Sequence, residues 1–125
     1  MQQRNIFLTV LLGSLSLGVT TASAHTVLIS SNPAKNSVIK ALPVNIVLTF
    51  ADPLLTLGKS AVNRIVVTDS TNTVISTNKY LVKGGVLTDP LNTAGTKAGR
   101  YLVKYRVSAE DGHVVTGSFS FKVKP

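Results

Sequence analysis

The sequence predicts an antiparallel β-sandwich of about seven strands, of Greek-key type, from three observations. Short apolar and β-branched runs recur between turn residues at a spacing of roughly 8–12 residues. Two of the runs alternate: Tyr101, Val103, Tyr105 and Val107 share one face, and Phe119, Phe121 and Val123 share another. No stretch beyond residue 24 carries a helical period.

Taken in order, residues 1–24 stand outside that domain. Arg4 gives a positive start, Ile6 to Val19 is apolar and uncharged, and Ala22-Ser23-Ala24 is a small-x-small cleavage pattern. The apolar run has 14 residues, short of the roughly 20 that a transmembrane helix needs. A secretory leader cleaved after Ala24 is the expectation, with a single domain over residues 25–125. Cleavage makes His25 the first residue, leaves 101 of the 125 residues, and lowers the net charge from +8 to +7 because Arg4 departs.

His25 to Ser30 is the first strand signal, followed by the loop Asn32-Pro33-Ala34-Lys35-Asn36-Ser37. Pro43 opens a strand from Val44 to Phe50 that ends near Asp52-Pro53. Asn63 to Thr68 is the next, closed by the polar turn Asp69-Ser70-Thr71-Asn72. Val74 to Leu81 follows, then the Gly84-Gly85 break and a short piece from Val86 to Thr88. Asp89-Pro90 and Gly95 to Gly99 bound a loop before the two alternating strands, Tyr101 to Val107 and Thr116 to Val123.

Composition narrows the function classes. There is no cysteine, so an exported domain of this size relies on its core instead of disulfides. No second long apolar segment follows the leader, so stable membrane insertion is not expected after cleavage. Lys35, Lys40, Lys59, Lys79, Lys83, Lys97 and Lys104 are scattered singly. That is a solvated face with weak attraction to anionic membrane surfaces, not the clustered, aromatic-lined patch of a nucleic-acid binder.

The chemistry concentrates in Ala109-Glu110-Asp111-Gly112-His113, between the last two strands. Asp-Gly is a strong turn dipeptide, so a hairpin accounts for this stretch without any ligand. A carboxylate and an imidazole two residues apart also point the same way on extended backbone. The chain has two histidines, and the other is His25. An N-terminal histidine offers its α-amine and its ring Nδ1 to one ion, closing a chelate ring. His113 brings a third nitrogen and Asp111 an oxygen. Three nitrogens and a carboxylate in a plane suit one Cu(II) ion, whereas zinc prefers a tetrahedron. The one methionine is Met1, so no sulfur remains after cleavage for a Cu(I) site. Asp52 is either a turn residue before Pro53 or an accessory to the site, and Glu110 points away from Asp111 into solvent.

These residues resemble the periplasmic copper-binding CopC family over essentially the whole mature chain. His25-Thr26-Val27-Leu28-Ile29-Ser30-Ser31-Asn32-Pro33-Ala34 is similar to the family opening, and Val47-Leu48-Thr49-Phe50-Ala51-Asp52-Pro53 to its "L-T-F-S-E-P" segment. Gly99 to His113 is similar to "G-x-Y-x-V-x-W-R-V-x-S-x-D-G-H", and Gly117-Ser118-Phe119-Ser120-Phe121 to "G-S-x-x-F". Tyr105 stands where tryptophan is usual, and Val114 where proline often follows the histidine. The resemblance implies an Ig-like sandwich or barrel, metal ligands at His25, Asp111 and His113, and a Cu(II)-only member. It implies a periplasmic protein of copper homeostasis and resistance that sequesters the ion and hands it to an inner-membrane copper transporter; a monomer without enzymatic activity is the expectation. Two other classes stand beside it. One is a copper oxidase of the histidine-brace kind, against which the small size, the three tyrosines and the absence of tryptophan argue. The other is a metal-free Ig-like adhesion or assembly module.

Overall fold

Alternating apolar residues set the strands of the computed structural model, which describes Gly18 and residues 26–58 and 62–125. The leader and His25 lie outside the described residues, apart from Gly18. The strands are β1 (Leu28–Asn32), β2 (Val38–Ile39), β3 (Asn45–Phe50), β4 (Arg64–Thr68), β5 (Leu81–Lys83), β6 (Val86–Pro90), β7 (Gly99–Ser108) and β8 (Val114–Val123). They form two four-stranded sheets, ordered β1-β3-β6-β5 and β2-β8-β7-β4. Neighbours are antiparallel except β2, which runs parallel to β8. The expected sandwich is therefore found, with eight strands among the described residues.

The core lies between the sheets. The first contributes Ile46, Leu48, Phe50 and Leu87, and the second Ile65, Val67, Val103, Val107 and Phe121, all buried. Each such side chain removed from water contributes about 1.5–3 kcal/mol, which matters in a chain without disulfides. Tyr101 stacks on Phe121 with ring centroids 5.3 Å apart. Its hydroxyl donates to the Lys97 carbonyl at 2.6 Å, so the polar tip of a buried ring is satisfied. Tyr105, opposite Gly117 in the ladder, meets Phe50 edge-on at 5.5 Å.

Three expectations need correction. Val74 to Leu81 is not one strand: Val74 and Ser76 make single bridges to Thr68 and Leu91, and Asn78 turns the chain at a φ of 58°. The pairing strand starts only at Leu81. Second, β6 continues past Thr88 through Asp89 and Pro90, because both pair with β3. Third, the first strand continues past Ser30 to Asn32, which pairs with Val47 instead of opening the loop, and the two-residue β2 follows that loop.

The β5–β6 turn fixes the end of β3 by close approach. The Gly85 carbonyl accepts the Phe50 N–H at 2.8 Å, and that of Gly84 accepts the Leu54 N–H at 2.9 Å. A Cβ on Gly85 would stand 2.6 Å from the Phe50 carbonyl oxygen and 3.0 Å from that of Asp52, so only glycine lets the turn sit there.

Candidate metal centre

Strands β7 and β8 pair over their whole length, from Gly99 with Val123 to Ser108 with Val114. The residues between them close a tight turn. Ala109 N–H donates to the His113 carbonyl and Gly112 N–H to the Ala109 carbonyl, both at 2.9 Å. Gly112 has a φ of 86°, a conformation that side chains disfavour.

In that turn Asp111 and His113 meet. One carboxylate oxygen, Oδ1, accepts the His113 N–H at 2.9 Å. The other, Oδ2, lies 2.8 Å from the ring Nδ1. Asp111 so sets both the backbone and the ring of His113. A ring that donates its Nδ1–H to a carboxylate presents Nε2 on the side away from it, the usual outer support of a ligating imidazole; for Asp111 to share the ion with His113 this hydrogen bond must give way. Both side chains are solvent-accessible, 56% for His113 and 41% for Asp111, so an ion reaches them without the fold opening.

Two other segments converge on this hairpin. The chain after β3 bridges Leu54 to Ala109, donates Leu55 N–H to the Ser108 carbonyl at 2.8 Å, and accepts the Glu110 N–H on the Pro53 carbonyl at 3.2 Å. Thr26 is buried, and its Oγ1 accepts the Asp52 N–H at 3.1 Å. The Val27 carbonyl accepts the Ala51 N–H at 2.9 Å. The residue that follows His25 is thus tied to the loop that carries Asp52, and that loop is tied to the hairpin that carries Asp111. Asp52, Pro53, Ala109, Glu110 and Asp111 line a cleft of about 260 Å³. Glu110 is exposed as expected, but it borders the same cleft as Asp111.

Asp111 and His113 are thereby brought together, Asp52 stands on the adjoining wall, and His25 lies outside the described residues. No three metal-binding side chains cluster among the described residues; of the expected ligands, the described ones are the Asp111–His113 pair.

Two supporting residues have no signature in the linear sequence. Asn63, read only as a strand start, is buried. Its Nδ2 donates to the Leu55 carbonyl at 2.8 Å and its Oδ1 accepts the Ser108 N–H at 2.9 Å, clamping the β3 exit to the base of the hairpin. Thr26 is the other. Nothing in a linear sequence separates these from ordinary polar residues at strand ends, since their partners lie 45 and 26 positions away.

Comparison with known proteins bears on this geometry. A family model described as the CopC domain matches residues 28–124. A copper resistance protein C of Xanthomonas campestris pv. juglandis is 31% identical over 126 residues, covering 97% of each chain. One of Pseudomonas syringae pv. tomato is 37% identical over 110 residues, covering 82% of this chain and 83% of its own. Among solved structures, CopC from Methylosinus trichosporium OB3b superposes with a TM-score of 0.66 at 28% identity, over 81% of this chain and 95% of its own. PcoC, a methionine-rich copper resistance protein from Escherichia coli, superposes with a TM-score of 0.65 over 81% of this chain and all of its own, at 24% identity, a likeness of fold.

Proposed function

The chain belongs to the CopC domain family, and from that premise we propose that it is a periplasmic copper-binding protein whose ion is a single Cu(II) held by His25, Asp111 and His113. The observation that carries the ligand set is the Asp111–His113 pair in one tight turn, 2.8 Å apart, beside the segment that anchors Thr26. Leader removal after Ala24 gives His25 a free α-amine, whose unperturbed pKa of about 7.7–8.0 lets a metal displace its proton near neutral pH. Amine, His25 Nδ1 and one ring nitrogen of His113 supply three nitrogens, and the Asp111 carboxylate supplies an oxygen and a negative charge. This nitrogen-rich, tetragonal set favours Cu(II) over Zn(II). The described residues contain no cysteine or methionine, so soft ligation of Cu(I) has no donor there.

The protein's role on this reading is to bind and sequester copper as a monomer, without catalysis, and to release it to an inner-membrane transporter. A square ligand set filled by Asp111 leaves no equatorial position for oxygen, which favours storage over oxidation. The test is the electron paramagnetic resonance spectrum of mature protein with one equivalent of Cu(II). A tetragonal signal with three nitrogens and one oxygen supports the assignment. A spectrum unchanged by His113→Ala overturns it.

A further inference from the structure

The fold gathers cations that the sequence scatters. Tyr101, Val103 and Val107 of β7 are buried in the core, so Arg100, Lys104 and Arg106, of opposite parity, face outward, and all three are exposed. The register places Arg64 of β4 opposite Arg106, and Lys122 of β8 opposite Arg100. Both are exposed. Five cations therefore occupy the outer face of the second sheet. No carboxylate shares it, since the outward positions of its strands are otherwise aliphatic, serine or threonine. None of the five is ion-paired among the described residues.

Like charges directly opposite one another on an antiparallel pair weaken the sheet. Here two such pairs, Arg64 with Arg106 and Arg100 with Lys122, sit on adjoining ladders without a compensating anion. We propose that this face is a docking surface for an anionic lipid bilayer, whose headgroup phosphates supply the missing counter-charge. Charge complementarity favours that occupant, and so does shape. The cations spread over about 20 Å along β7 and about 10 Å across three strands, an area that matches an array of headgroups better than one bound ion. No aromatic side chain lies outward among them to stack a base, which disfavours nucleic acid. The hairpin of Asp111 and His113 caps the same two strands, five residues beyond Arg106. Docking therefore sets the metal-binding turn beside the membrane surface. The inference rests on the exported location proposed above, but not on the ligand set.

The experiment is co-sedimentation of metal-free mature protein with vesicles of phosphatidylglycerol mixed with phosphatidylcholine, against vesicles of phosphatidylcholine alone. Binding is expected to the anionic vesicles only, and to vanish in high salt. The variant Arg64→Gln/Arg100→Gln/Arg106→Gln/Lys122→Gln loses at least about tenfold in partitioning. A variant of equal net charge, Lys35→Gln/Lys79→Gln/Lys83→Gln/Lys97→Gln, retains most of it. The pair variant Arg64→Gln/Arg106→Gln, which relieves one repulsion, gives an intermediate loss and serves if the fourfold variant fails to fold. Equal losses in the two fourfold variants, binding to neutral vesicles, or capture of a soluble acidic protein without vesicle binding would overturn the proposal. Copper spectra of the same variants stay unchanged, which separates this result from the fate of the metal site.

Discussion

Asp111 grips His113 twice, through the backbone N–H at 2.9 Å and through the ring Nδ1 at 2.8 Å. The carboxylate is thereby a positioning group as well as a candidate ligand, and the two roles separate by substitution. Asp111→Asn keeps an oxygen for the backbone N–H but loses the charge, whereas Asp111→Ala loses both. Cu(II) affinity should fall in the order wild type, Asn, Ala, with the Asn loss about 10–100-fold, as for outer support of a ligating histidine. His113→Ala should weaken binding at least as much as Asp111→Ala. Chelator competition measures all three, and an Asp111→Ala protein that binds like wild type would remove the residue from the site.

The α-amine of His25 is testable without touching a side chain. Protein that retains Ala24 carries an amide nitrogen in its place, which gives up its proton far less readily. Its Cu(II) affinity should fall below that of Asp111→Asn. Equal affinity with and without Ala24 would show that His25 binds through its ring alone or not at all. Mass spectrometry of protein recovered after export should show His25 as the first residue.

Asn63 holds the scaffold beneath the hairpin. Asn63→Ala leaves the Ser108 N–H and the Leu55 carbonyl without that partner; the buried Ser108 N–H left unpaired costs roughly 1–3 kcal/mol, and the half-buried Leu55 carbonyl less. Urea unfolding should show a lower midpoint with little change in slope. Copper affinity should fall by less, because the loop bearing Asp52 stays tied to the hairpin through the Leu55 N–H, the Glu110 N–H and the Leu54–Ala109 bridge. Unchanged stability would mean that water replaces the amide at no cost.

Two carboxylates titrate in opposite directions. The Asp69 carboxylate takes the Thr71 hydroxyl at 2.8 Å and the Thr73 N–H at 3.0 Å, which hold it below the ordinary 3.8. Its stabilising effect is present above 3.8 and is lost as pH falls through its folded value. Asp89 is wholly buried, and desolvation pushes its carboxyl above 3.8 against the opposing hydrogen bonds from Asn78 and Thr77. It favours the folded state most below 3.8, and that benefit fades as pH rises through its folded value. Carboxyl-carbon NMR should place the Asp89 midpoint above that of Asp69, and Thr77→Val, which removes a hydroxyl donor at 3.3 Å, should raise it further. A midpoint for Asp89 below that of Asp69 would contradict the buried position.

The strands that bury one face declared themselves in the sequence. Ile46, Leu48 and Phe50, or Tyr101, Val103 and Val107, repeat at period two because a pleated strand sends alternate side chains to the core. The hairpin was legible for the same reason that it works, since Asp-Gly both turns the chain and brings a carboxylate to a histidine two positions on. What stayed hidden depends on register. Val74 to Leu81 has strand composition, yet the left-handed Asn78 and the single bridges at Val74 and Ser76 leave no ladder for it. Asp89 reads as a turn residue before proline and is a buried acceptor for Thr77 and Asn78. The basic face was half visible in the alternation of Arg100, Lys104 and Arg106, but only pairing adds Arg64 and Lys122.

Strand β1 is the border strand of its sheet, hydrogen-bonded to β3 and to no other strand there. On the proposed ligand set, an ion shared by His25 and His113 rivets this margin to the opposite sheet, bridging 88 positions of sequence. The metal then works as a removable cross-link, and its departure is felt first as fraying of that margin. Amide hydrogen exchange along Leu28 to Asn32 should slow on copper loading by more than exchange in β7. The border strand would thereby report whether the protein travels laden or empty.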